Sequence, residues 1–222
     1  MALNKLKFNS LNVTPVAGKT VGFNSSADGL EATLSGGAMT FISKSTASSS
    51  STISFTSGID STYKEYIFVF KDIHPSAGGS DFTFQADTGT NTSYNQTITS
   101  TSFRAFQVED ASVTAFGYRT DEDLAQSTSF QPLQTNLGDD DDQCFGGYLH
   151  IFNPSSSTFV KHFIANTQAS RDNTGGVTNG TGSSYNSYVA GYFNTTTAIT
   201  RFQFKYSSGN IDAGTITLYG IN

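Results

Sequence analysis

The chain has 222 residues, a formal net charge of −6 and one cysteine, Cys144. A single cysteine excludes an internal disulfide. The 12 Lys and Arg are spread without a cluster, which argues against a nucleic-acid groove and an anionic membrane surface, since both need grouped cations. Charged residues are only 14% of the chain, while 19 Phe and 10 Tyr supply much apolar area per residue. A β-rich domain with a neutral, hydroxyl-rich surface is expected.

The first residues, Met1-Ala2-Leu3-Asn4-Lys5-Leu6-Lys7, contain no apolar core of a signal peptide. No run reaches the length of a membrane span. Synthesis in a cytosol without secretion is expected. Residues 1–38 carry isolated apolar residues among polar ones, and Phe8-Asn9-Ser10 recurs as Phe23-Asn24-Ser25. Such a segment buries little by itself. It reads either as an arm draped over its own domain or as an anchoring arm that orders on a partner. In the second case Leu3, Leu6, Phe8, Val13, Val21 and Phe23 are the contacts. Gly36-Gly37 separates this arm from a body spanning residues 39–222.

Residues 39–44 predict a first strand, and 52–56 alternate around Ile53 and Phe55. The strongest signal is 63–73, where Tyr66, Ile67, Phe68, Val69 and Phe70 are consecutive. Aromatic and β-branched residues favour a pleated sheet, and Pro75 ends the run because it lacks an N–H. This predicts a central strand covered on both faces, with 81–86 returning as its hairpin partner. Residues 87–142 are mostly polar and predict no strand. Asp121-Glu122-Asp123 places acids where a helix N-terminus wants them, predicting one short helix over 121–126. Strands resume at 147–153 and 159–166 as a second hairpin. Residues 185–194 are expected to pair with 199–206, and 214–221 form the last strand. Eight or nine strands with almost no helix predict an all-β fold: an antiparallel β-sandwich, jelly-roll-like, with an extended N-terminal arm.

Signs of chemistry are sparse. His150 and His162 fall on strands expected to pair, but two histidines read more simply as cross-strand neighbours than as a metal site. His74 before Pro75 reads as a turn residue. The run Asp139-Asp140-Asp141-Asp142 reads as a solvated acidic loop; it lacks the spaced ligands of a calcium loop. Glu65, Glu109, Glu122 and Asp72 suggest no glycosidase pair. No Gly-x-Ser-x-Gly elbow occurs, and Cys144 has no histidine at a recognisable spacing. No enzyme, cofactor or metal is expected.

Several stretches resemble a group of small proteins from tailed phages of marine bacteria. They are Phe23-Asn24-Ser25-Ser26-Ala27-Asp28-Gly29-Leu30, the strand ending Ile73-His74-Pro75, Phe152-Asn153-Pro154-Ser155-Ser156 with Lys161-His162-Phe163, and Gly214-Thr215-Ile216-Thr217-Leu218-Tyr219-Gly220. The resemblance spans nearly the whole chain. It implies a β-sandwich structural protein of the virion, assembled in the host cytoplasm and displayed on capsid or tail as a decoration, knob or fibre-like element. Other virion proteins would be its partners, and a homo-oligomer, a trimer for instance, its state. The alternative is a carbohydrate- or receptor-binding module using loops 87–102 and 167–185. A second alternative is a polysaccharide-degrading enzyme on the same scaffold.

Overall fold

The computed structural model describes residues 19–23, 29–34, 38–171 and 182–221. The chain divides into two compact units, Met1–Ala38 and Met39–Asn222. Within the first, β1 (Lys19–Phe23) and β2 (Leu30–Leu34) pair as an antiparallel hairpin, with Phe23 opposite Leu30 and Val21 opposite Ala32. Residues 1–18 and 24–28, and with them most of the expected arm, lie outside the described residues.

The second unit is an antiparallel β-sandwich. Its strands are β3 (Met39–Thr46), β4 (Ile53–Phe55), β5 (Glu65–Pro75), β6 (Ser80–Thr88), β7 (Ile98–Val108), β8 (Thr114–Tyr118), β9 (Gln131–Leu137), β10 (Phe145–Phe152), β11 (Lys161–Arg171), β12 (Ser183–Phe193), β13 (Ile199–Tyr206) and β14 (Ile211–Ile221). An eight-stranded sheet has the order β3-β14-β5-β10-β11-β12-β7-β8, and a four-stranded sheet the order β4-β13-β6-β9. Without the additions β7–β8 and β11–β12, the orders β3-β14-β5-β10 and β4-β13-β6-β9 remain. In them β3 to β6 change sheet at every step, as do β9 to β10 and β13 to β14. The two added hairpins widen one sheet only.

The interior is aromatic. Phe204 on β13 is fully buried, with its ring centroid 5.1 Å from Phe68, 5.5 Å from Phe70, 5.9 Å from Phe82 and 6.1 Å from Phe55. Most of these contacts are edge-on, as ring quadrupoles prefer. Alternation in β5 puts Tyr66, Phe68 and Phe70 inward, and in β14 Ile216, Leu218 and Gly220.

Five expectations are corrected. First, the strand at 63–73 is central in its sheet, between β14 and β10, but only its inner face is sealed; Ile67 and Val69 on the other face are half-buried. Second, β6 is not its hairpin partner. Phe82 faces Phe70 across the sandwich at 5.5 Å, so the two apolar faces meet as opposing layers. Third, β12 and β13 likewise lie in different sheets: β12 pairs with β11 and β7, and β13 with β4 and β6. Fourth, residues 87–142 contain β7, β8 and β9. They escape an apolar pattern because inward positions are held by Ser100, Ser102, Gln131, Gln134 and Thr135. Fifth, 121–126 is not a helix. Arg119 C=O accepts from Glu122 N–H at 3.3 Å in a turn, and the Glu122 side chain points inward. It accepts from Thr135 Oγ1 at 2.9 Å, Arg119 Nε at 3.0 Å and Ser102 Oγ at 3.1 Å. Three inward donors outweigh the few tenths of a kcal/mol that an acid gains at a helix start.

Candidate binding face

The added hairpins place four strands side by side, and β11 and the first part of β12 alternate cleanly. In β11, Phe163, Ala165, Thr167 and Ala169 point in while Ile164, Asn166, Gln168 and Ser170 point out. In β12, Tyr185, Ser187 and Val189 point in while Ser184, Asn186 and Tyr188 point out. Period-two alternation turns each strand into one buried and one solvent-facing set.

Register lines the outward sets into rows across the sheet. One row runs Lys44, Thr217, Val69, Tyr148, Asn166, Tyr188, Phe103 and Tyr118 from β3 to β8. Its aromatic end is open to solvent: Tyr188 is 41% exposed, Phe103 36% and Tyr118 52%. Phe103 stacks on Tyr188 at 4.9 Å and 11°, and Phe116, 74% exposed, meets Phe103 edge-on at 5.6 Å. The Tyr118 hydroxyl donates to Asp123, a bond that holds its proton above the usual phenol range.

Two residues along each strand the character changes. The next row reads Gly146, Gln168, Asn186, Ala105 and Phe116, and the one after it Ser170, Ser184, Gln107 and Thr114. Here the surface sinks into a cleft of about 560 Å³, walled by Asp72, Gln107, Glu109, Gln168, Ser170 and Ser184. The amides are held in place. Gln168 Nε2 donates to Ser184 Oγ at 2.9 Å, and Asn186 Nδ2 to the Thr167 carbonyl at 3.1 Å. Asn166 Nδ2 donates to Asn186 Oδ1 at 3.1 Å. Cys144 also lines the cleft, but burial, with Asp72 and Asp142 nearby, raises its thiol above the usual value, the opposite of an activated nucleophile.

No protein-family model, curated protein or solved structure matches the chain.

The floor of this face is polar and buried. Arg171, 2% exposed, lies 3.5 Å from the Tyr185 ring centroid and donates to the Thr135 carbonyl. Burial lowers its guanidinium to about 10. Tyr185 in turn accepts from Arg104 Nη1 at 3.0 Å. The cation thereby ties β9 of the small sheet to β11 and β12 of the large one, beneath the cleft.

The residues singled out from the sequence scatter. Leu3, Leu6, Phe8 and Val13 lie outside the described residues. Val21 and Phe23 sit on one face of β1, 39% and 74% exposed, with Leu30 beside them. His150 and His162 face different partners: His150 Nε2 is 2.9 Å from Glu65 Oε2, and the His162 ring is 6.0 Å from Tyr192. His74 Nε2 is 3.1 Å from the Asp140 carbonyl. The Asp139 to Asp142 carboxylates are exposed, and among the described residues no group of three His, Cys, Asp or Glu could hold a metal ion. In loop 87–102, the one large aromatic, Tyr94, is buried, with its N–H donating to Asp87 Oδ2 at 2.8 Å. That loop is closed on itself. The exposed polar and aromatic side chains lie instead on the outward side of β7, β11 and β12. The strands at 159–166 and 185–194 were readable in the sequence, but β7 and the neighbourhood of all three were not.

Proposed function

We propose that this chain is a structural protein of a tailed-phage virion, a β-sandwich presented on capsid or tail whose work is association. The observation that carries this reading is the outer face of the eight-stranded sheet. Tyr148, Ile164, Tyr188, Phe103, Phe116 and Tyr118 are all at least 36% exposed there, and they are contiguous through the register of β10, β11, β12, β7 and β8. A contiguous apolar patch on a soluble domain marks a contact surface. Aromatic residues are the type enriched at such contacts. The sequence resemblance supplies the particle, and the exposed pair Val21 and Phe23 on β1 supplies a second grip. Copies of the chain would associate cyclically, a trimer being one such closure, and join neighbouring virion proteins through residues 1–38. A jelly-roll reading of the sandwich fits the alternation of β3 to β6 between sheets.

The test is particle incorporation. Deleting residues 1–38 should leave a folded sandwich, seen by an unchanged cooperative melt, that no longer co-purifies with particles. Normal incorporation of the truncated chain, or antibodies against this chain that fail to label intact particles, would refute the reading.

A further inference from the structure

The aromatic face and the cleft beside it differ in chemistry, and the difference identifies a second ligand. Among the described residues the cleft carries no cationic side chain; its charged members there are Asp72 and Glu109. It therefore repels polyanions such as nucleic acids and sulfated or uronic polysaccharides. Its remaining polar groups are amides and hydroxyls, which offer both donors and acceptors. At about 560 Å³ it is within the range of ligand-binding clefts.

Four features of the arrangement point further. Gln168, Asn186 and Asn166 are fixed by bonds to Ser184, the Thr167 carbonyl and one another, so a ligand orders few rotamers on binding. Positions along a row repeat at the strand spacing of about 4.8 Å, so β10 to β7 spans roughly 14 Å. That is long enough for an oligosaccharide, whose pyranose units repeat at a similar interval. Phe116 stands at the end of the Gln168–Asn186–Ala105 row, 74% exposed, and offers an apolar ring face to the C–H face of a sugar. A shallower depression lined by Ala105, Gln107, Thr114, Ser184 and Asn186 continues the cleft toward β8.

We propose that the groove crossing β10, β11, β12 and β7 binds an extended neutral glycan. Gln168, Asn186 and Gln107 bond its hydroxyls, Asp72 beside β10 and Glu109 beyond β7 accept hydrogen bonds from its flanks, and Phe116 stacks on a terminal sugar. This goes beyond particle assembly: it gives the displayed domain a surface ligand.

The experiment is affinity electrophoresis of the full chain through gels containing dextran, laminarin or galactomannan. Alginate, heparin and oligolysine are run as charged comparisons. Retardation is expected with at least one neutral polysaccharide and with neither polyanion. The double variant Gln168→Ala/Asn186→Ala should weaken retardation about tenfold or more, the loss of two ligand hydrogen bonds. Ser184→Tyr, which fills the groove from an exposed position, should abolish it with an unchanged melt. Phe23→Ser should leave it intact. Three results would overturn the proposal: no retardation by any neutral polysaccharide, binding of oligolysine alone, or full retention by both groove variants. Particle incorporation of the groove variants is expected to be normal, so a failure here is distinguishable from a failure of the assembly reading.

Discussion

Glu122 offers the sharpest test of how the sandwich is tied together. The residue is 4% exposed, and its carboxylate accepts from Ser102 and Thr135, themselves buried, and from Arg119. In Glu122→Ala, two buried hydroxyls lose their acceptor, at about 1–3 kcal/mol each. The Arg119 side chain is 25% exposed and recovers water, so it adds about 1 kcal/mol or less. The expected loss is about 2–7 kcal/mol, which for a domain of this size lowers Tm by roughly 4–28 °C. Glu122→Gln keeps an oxygen for Thr135 and Arg119 and lets the Ser102 hydroxyl turn to accept, so it should cost only about 1 kcal/mol. Urea unfolding of the two variants against the parent measures both. An acid at an exposed helix start would contribute under about 1 kcal/mol, and both substitutions would then look alike. If Glu122→Ala costs no more than Glu122→Gln, the inward carboxylate is wrong.

Phe204→Ala should cost about 3–5 kcal/mol in the same assay, because the ring sits among Phe55, Phe68, Phe70 and Phe82 and leaves a cavity they cannot close. Gly214→Ala should lower Tm by several degrees: φ is +110° and a Cβ would stand 2.4 Å from the Asp72 carbonyl oxygen. A melt within 1–2 °C of the parent, an indistinguishable shift on the usual scale, would contradict that close approach. Asp81 is held above the usual carboxylate range, chiefly by burial. The folded chain then binds its proton more tightly than the unfolded chain, so this residue's contribution to stability is greatest at low pH and is lost as pH rises through its folded value. Asp81→Asn, which keeps the acceptor for the Asn136 N–H, should flatten the stability-against-pH curve in that acidic window. A curve parallel to the parent's would refute the assignment.

Strands whose inward residues are large were legible from their apolar and β-branched content. Phe68 and Phe70 mark β5, Leu149 and Ile151 mark β10, and Ile216 and Leu218 mark β14. The hairpin of β10 with β11 was legible, but which strand lies beside which was otherwise not, because successive strands mostly change sheet. Phe70 and Phe82 are close in sequence yet meet across the interior, and a hairpin and a crossing leave the same alternation. β7 and β9 were invisible for another reason: their inward Ser, Gln and Thr satisfy one another, as when Thr167 Oγ1 donates to Gln134 Oε1 at 2.8 Å. A buried polar residue looks like a loop residue until its partner, tens of positions away, is known. The cleft shares that difficulty. Gln107 and Ser184 are 77 positions apart by number and become neighbours only because β12 pairs with β7.

The widened sheet separates two tasks along the chain. The strands that alternate between layers carry the stacked phenylalanines, whereas the surface offered to ligands is written mainly on the two inserted hairpins. Substitutions on the outward side of β7, β8, β11 and β12 therefore meet water or a visiting molecule, and the aromatic interior is insulated from them by a full layer of backbone. Changes on that outward side are therefore free to alter what the surface presents, while the stacked interior stays as it is.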